Sequence, residues 1–206
     1  GEYSRATDRQ MLADTAHEIA KLFREHLNND AEAFRWLKAG YNAVREHRGV
    51  VEDLIDYYLK RDDWENAVPL LAWLVSYLEA KRMYTELAQK SFELGQLFER
   101  SGDSPRAMKY YRMANRYDSR NAPNLLALGR LYHDDGEYDK ALQTLQGLLV
   151  MQHDIEDDAI RVMMFLYLAR ACRAAGDKPK ALRHVKRLLQ IDPSHEEAQA
   201  LLAKLK

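Results

Sequence analysis

Three stretches decide the fold: Leu94-Gly-Gln-Leu-Phe-Glu-Arg-Ser-Gly-Asp-Ser-Pro-Arg-Ala107, Leu128-Gly-Arg-Leu-Tyr-His-Asp-Asp-Gly-Glu-Tyr-Asp-Lys-Ala141 and Leu168-Ala-Arg-Ala-Cys-Arg-Ala-Ala-Gly-Asp-Lys-Pro-Lys-Ala181. In each, a small residue follows the leucine, a glycine falls at the turn, and an alanine closes the segment. A more diverged copy runs Leu54-Ile-Asp-Tyr-Tyr-Leu-Lys-Arg-Asp-Asp-Trp-Glu-Asn-Ala67. A fifth, from Ile19 to Ala33, needs one extra residue in its turn. The closing alanines, Ala33, Ala67, Ala107, Ala141 and Ala181, are spaced 34, 40, 34 and 40 residues apart. A fixed period of this size is the mark of a repeat architecture.

Each copy reads as an apolar stripe of helical period, a turn, and a second stripe. The turns are Ser101-Gly102-Asp103, Asp135-Gly136-Glu137 and Ala175-Gly176-Asp177. Pro105 and Pro179 fall just after two of them, in a first helical turn whose amides have no carbonyl partner to lose. Small residues at Gly95 and Ala107, and at Gly129 and Ala141, let two antiparallel helices approach closely. One hairpin cannot bury its apolar face alone, so the copies must stack. The six additional residues of the longer spacing lie near 83–87 and 153–158, with Thr85 and Asp154 as expected helix caps. They read as about one and a half more turns on the following hairpin's first helix.

These copies resemble the tetratricopeptide repeat family over roughly residues 13–206. The family's pattern is met by Leu94, Gly95, Phe98, Ala107, Tyr111 and Ala114 in one copy, and by Leu125, Leu128, Gly129, Tyr132, Tyr138 and Ala141 in the next. Phe165, Leu168, Ala169, Ala181, Leu188 and Pro193 carry it in the third. Ile55 departs from it where a small residue is usual, and so do Leu74, Leu148 and Leu188 at the third small position. The resemblance implies an all-α fold, a right-handed α-solenoid of stacked antiparallel helix hairpins. Residues 1–12 are then a lead-in or the end of a preceding helix, and residues 13–206 the solenoid. Its repeats fall near 13–47, 48–87, 88–121, 122–161 and 162–195, with a final helix at 196–206.

Composition agrees with a helical protein and removes several classes of function. Nine Gly and five Pro in 206 residues leave little punctuation for a sheet protein. A net charge of −1 gives no overall pull toward nucleic acid or anionic lipid. The single cysteine, Cys172, excludes an internal disulfide and a cysteine-based metal cluster, and it fits the expected cytoplasmic location, with a periplasmic one as the alternative. Apolar runs such as 68–74 and 162–168 are too short to span a membrane. No basic segment followed by an apolar run opens the sequence, so no uncleaved signal peptide is expected.

The search for chemistry returns little. His17-Glu18 and His195-Glu196 each begin a helical zinc motif, but neither has the second histidine. The remaining histidines read as residues of charged helix surfaces and turns. Asp134-Asp135-Gly136-Glu137 lacks calcium-loop spacing and matches the repeat turn instead. Cys172 occupies a core position of its repeat and reads as a buried, inert thiol. Trp36 and Trp73 read as core residues of second helices, and Pro69 sits inside a helix expected over 64–81. No catalytic residue, cofactor or metal is expected, and the chain does not read as an enzyme.

In the family, first helices line a concave groove that holds a peptide or another domain. Carried onto this chain, the groove-facing positions include Phe92, Gln96 and Arg100, then Leu126, Arg130 and His133, then Met163, Leu166, Arg170 and Arg173. Residues 1–103 carry 14 Lys/Arg against 19 Asp/Glu, and residues 104–206 carry 17 against 13. The expected function is therefore a protein-protein interaction scaffold within a multiprotein assembly such as a secretion, envelope or signalling complex. Its expected partner is another protein, through an acidic and partly apolar segment, and not nucleic acid. The alternatives are an RNA-binding helical repeat, which the acidic first half opposes, and a structural spacer that self-associates through open apolar ends.

Overall fold

Residues with a left-handed backbone sit at the turn of every hairpin: Asn28 (φ 50°), Asp62 (57°), Gly102 (79°), Gly136 (76°) and Gly176 (81°). Such a residue ends a helix by turning the chain back over its last carbonyls. The bond that closes the turn runs from Asp63 N to Tyr58 O, from Asp103 N to Phe98 O, from Glu137 N to Tyr132 O and from Asp177 N to Cys172 O, at 2.8–2.9 Å. Each spans five residues. In the first hairpin Asn29 N reaches Phe23 O, six residues back, which is the extra turn residue seen in the sequence. The residue after the left-handed one begins the next helix: Asn29, Asp63, Asp103 and Asp177 each accept a side-chain hydrogen bond from the amide three residues on. Turn and cap thus form one unit, which repeats with the spacing of the alanines.

The computed structural model describes residues 2–205, with side chains from Ser4, and among these it is all α-helix. The helices are α1 (Glu2–Glu25), α2 (Asp30–Ala43), α3 (Arg48–Leu59), α4 (Trp64–Ala80), α5 (Tyr84–Arg100), α6 (Ser104–Tyr117), α7 (Ala122–Asp134), α8 (Tyr138–Val150), α9 (Asp158–Ala174), α10 (Lys178–Ile191) and α11 (Glu196–Leu205). The stretch expected as a lead-in is, from Glu2 on, the first turns of α1; Gly1 and Lys206 lie outside the described residues. None of these helices is long and apolar enough to cross a membrane.

The extra six residues are distributed differently from the expectation. Helices α5 and α9 begin ten residues before Leu94 and Leu168, whereas α3 and α7 begin six before Leu54 and Leu128. Four of the six residues therefore lengthen a first helix by about one turn. The rest extend the end of α4 in one case and the loop before α9 in the other. Thr85 lies inside the first turn of α5. Asp157, not Asp154, caps α9, accepting from Ala159 N at 2.8 Å, and Asp154 pairs with Arg120 at 3.0 Å.

The chain divides into two compact units, Gly1–Lys90 and Ser91–Lys206, with the division inside α5. In the first unit, α1 packs on α2 and α3 on α4 around Val50, Val51, Leu54, Ile55, Leu71 and Leu74. His47 is not a scattered surface residue here, for it packs on His17. Their rings meet edge-on at 5.4 Å, His17 is bonded to Asp53 at 3.0 Å, and His47 to Asp14 at 2.8 Å. Gly49 makes room for this, since a Cβ there would lie 2.3 Å from the His17 ring. Burial lowers the His17 pKa against the opposing pull of Asp53. Trp36 and Trp73 are half-buried rather than core. Pro69 interrupts the hydrogen-bond ladder of α4 without ending the helix.

In the second unit α7 pairs with α8 and α9 with α10, first helices α7 and α9 touch, and α11 closes on α10. The repeat alanines Ala107, Ala141 and Ala181 are fully buried. The closest approach is at the glycines. A Cβ at Gly95 would lie 2.6 Å from the Tyr111 ring, and one at Gly129 2.6 Å from Leu145. These are equivalent pairs, each joining the position after the repeat leucine to the one four beyond the repeat alanine. Cys172 is buried, and burial pushes its thiol up and away from reactivity.

Glycine substitutions separate packing from propensity. Gly95→Ala must displace a rigid buried ring and is expected to cost about 1–3 kcal/mol. Gly147, in α8, meets nothing within 4 Å of a Cβ, so Gly147→Ala is expected to stabilise by about 0.5–1 kcal/mol. Urea denaturation of both variants checks this; equal effects would place Gly95 away from the helix contact.

Candidate functional site: an apolar groove floored by an ionic network

Three first helices of the second unit, the later part of α5 with α7 and α9, enclose a cavity of about 350 Å³. Its apolar walls are Phe92, Pro123, Leu126, Ala127, Ile160 and Met163, and its polar end is Gln96, Glu99, Arg100 and Arg130. Tyr111 and Tyr167 complete it. Apart from Phe92 of α5, the apolar side chains come from successive turns of α7 and α9, where residues three and four apart share a face. Phe92, Leu126 and Met163 are half-buried, so each keeps part of its surface available to a visitor.

Glu99 organises the polar end. One carboxylate oxygen is ion-paired with Arg130 and the other accepts from the Tyr111 hydroxyl at 2.8 Å. The network joins α5, α6 and α7. The first helix of one hairpin is thereby tied to its own partner and to the hairpin that follows. Burial, reinforced by the Glu99 bond, holds the Tyr111 phenol far above its usual range, and the hydroxyl donates to Glu99. Asn124, fully buried in α7, donates to the Tyr111 carbonyl at 3.1 Å and adds a second tie between α6 and α7.

Of the ten groove positions named from the sequence, six come together on this cavity: Phe92, Gln96, Arg100, Leu126, Arg130 and Met163. His133 lies beside it, its ring edge-on to Tyr138 at 5.6 Å and to Tyr167 at 5.5 Å. Arg170 is not a free charge. Its guanidinium lies over the Tyr167 ring at 4.9 Å and its Nε donates to Glu197 of α11 at 2.7 Å. Burial alone would lower its pKa, but Glu197 more than offsets that and the net shift is upward. Arg173 is exposed and stands apart from the cavity. Leu166 is a correction: at 3% exposed it belongs to the core, because α9 is buried continuously from Met164 to Ala169 between its neighbours.

Glu99, Tyr111 and Tyr167 were missed. Glu99 stands five residues after its repeat leucine, as His133 and Arg173 do after theirs, so a constant offset selects it rather than Arg100. Tyr111 was read only as a core ring, and nothing in the one-dimensional pattern says that its hydroxyl emerges at the groove.

Comparison with known proteins places part of the chain in a family. Residues 121–194 match the model of the tetratricopeptide repeat. The chain aligns over 99% of its length, and 98% of the other chain, with the crystal structure of YrrB, described as a TPR protein with an unusual peptide-binding site, at a TM-score of 0.68 and 15% identity. Residues 121–194 thus carry tetratricopeptide repeats, and the chain shares its fold with a solved tetratricopeptide repeat structure. Among curated relatives, it is 24% identical to lipopolysaccharide assembly protein B of Escherichia coli (strain K12) over 119 residues, 58% of this chain and 30% of that protein. It is also 24% identical to response regulator aspartate phosphatase H of Bacillus subtilis (strain 168) over 159 residues, 77% of this chain and 42% of that one. The chain thus spans less than half the length of either relative. Tetratricopeptide repeat proteins are in general interaction scaffolds rather than enzymes.

The ionic floor has a measurable energy. Glu99→Ala leaves Arg130 and the Tyr111 hydroxyl without their shared acceptor and is expected to cost about 1–2 kcal/mol. A double-mutant cycle with Arg130→Met should return a coupling of about 0.5 kcal/mol or more. Additive effects would mean that the pair is solvated and organises nothing.

Proposed function

We propose that the protein is a scaffold whose second unit receives a segment of a partner protein in this groove, with a large apolar side chain seated in the cavity. The observation that carries the reading is the composition of the walls: six apolar residues face a space of about 350 Å³, wide enough for an aromatic or branched side chain. Apolar anchors in a pocket supply most of the energy in interfaces of this kind. The arginines expected to attract an acidic segment are already engaged, Arg130 by Glu99 and Arg170 by Glu197. Charge in the groove therefore positions the helices, and recognition rests on shape and apolar burial. The peptide-binding site named for the similar YrrB structure supports this use of the fold. Selection of peptides on the immobilised protein from a displayed random library tests the reading. Selected peptides should share one large apolar residue, and Phe92→Ala with Leu126→Ala should weaken them at least about tenfold by calorimetry. Peptides without such a residue, or unaffected by the double variant, would move the site elsewhere.

A second reading, self-association, is favoured by a separate observation. Met11, Leu12 and Leu22 of α1 are 62%, 51% and 54% exposed, and Met11 and Leu22 lie three turns apart on one side of the helix. Sedimentation equilibrium is expected to show a dimer that Leu22→Lys converts to monomer; a monomeric parent protein ends this reading.

A further inference from the structure

A second cavity lies on the other side of the last hairpin. It has a volume of about 340 Å³ and is lined by Arg161 and Phe165 of α9, Arg187, Gln190 and Ile191 of α10, and Gln152 and His153 of the preceding loop. Its walls hold guanidinium, imidazole and amide groups and no carboxylate. Helix α10 contributes Lys178, Lys180, Arg183, Lys186 and Arg187 and has no Asp or Glu. Lys180 is paired with Asp177 at 2.7 Å. Arg183, Lys186 and Arg187 are exposed and, among the described residues, have no acidic partner.

The wider surface points the same way. Residues 91–206 carry 18 Lys/Arg and 16 Asp/Glu, a net of only +2. Yet α6 and α10 together hold nine of those cations and no carboxylate, so positive charge is concentrated on second helices. Inside the cavity wall, Arg161 Nη2 is held by Asp158, while its Nε is buried and has no hydrogen-bond partner among the described residues. His184, stacked on Phe165 at 6.1 Å, has a buried Nδ1 in the same condition. Buried polar atoms left unmatched are uncommon and call for an explanation.

We propose that this cleft is a docking site, separate from the apolar groove, for an acidic peptide segment of a partner protein. Carboxylates engage Arg187, which forms no ion pair among the described residues, and share Arg161 with Asp158, through charge-assisted bonds that guanidinium forks form well. Gln152 and Gln190 carry both donors and acceptors and bind the segment's backbone. Single-stranded nucleic acid fits less well, because it needs exposed aromatic faces for stacking and Phe165 is only 3% exposed. A lipid surface fits less well too, since the exposed positions of α10 include no large apolar residue to insert.

The test is fluorescence anisotropy with a fluorescein-labelled hexaglutamate peptide at low salt, with circular dichroism as the folding control. Saturable binding is expected, and Arg161→Gln with Arg187→Gln should weaken it about tenfold or more. Arg187→Gln alone, at an exposed site, should weaken it by a factor of about three. A charge-matched control on α6, Lys109→Gln with Arg116→Gln, should leave affinity within about twofold. Equal loss in the control would reduce the effect to the general field of the unit and overturn the site. Failure of the peptide to bind, or tighter binding of oligothymidylate or of phosphatidylglycerol vesicles, would overturn the acidic-peptide assignment.

Discussion

The contact on which the rest of the structure depends is the one between the residue after each repeat leucine and the residue four beyond the repeat alanine. At Gly95 the absent side chain is replaced by the ring of Tyr111, and at Gly129 by the side chain of Leu145. In the third copy Ala169 and Val185 stand at the same two positions, both fully buried. Paired helices can come this close only if one side gives up its Cβ or most of it. The left-handed turn residue eight positions after the leucine then fixes where the second helix begins. Contact and turn together determine the register of a hairpin, and the register determines which faces remain for stacking.

The groove follows from that register. Once second helices cover one side of α7 and α9, those two first helices pack on each other and present their remaining turns to the cavity. Tyr111 connects the two levels of organisation. Its ring fills the space left by Gly95, its carbonyl receives Asn124, and its hydroxyl reaches Glu99 at the groove floor. A residue that closes a hairpin thereby also orients the charge of a neighbouring one. This is why the polar end of the groove is internally neutralised and its apolar end is left for recognition.

Charge is segregated by helix rather than by half of the chain. The acidic excess of residues 1–103 and the basic excess of 104–206 suggested a basic groove. The cations of α6 and α10 lie instead on second helices, while Arg130 and Arg170 of the first helices are paired. A linear count cannot distinguish these cases, because consecutive helices of a hairpin point their exposed faces in different directions. Nor does a count register that Glu197, at the start of α11, is brought against Arg170.

The sequence by itself determined the helices, the hairpins, their period and the buried alanines, because each rests on local chemistry: left-handed glycines, capping aspartates and apolar residues of helical spacing. It also pointed to six residues of the groove, since equivalent positions of equivalent helices face the same way. Only the tertiary structure decided that Leu166 is enclosed while Leu126, at the equivalent position, is half-open. It alone decided that His17 meets His47 across Gly49 and that Glu99 holds Arg130. Those outcomes depend on how many neighbours a helix has and on contacts between residues about thirty positions apart. A repeat pattern specifies the faces of a helix, but what each face meets is set by the packing of the whole unit.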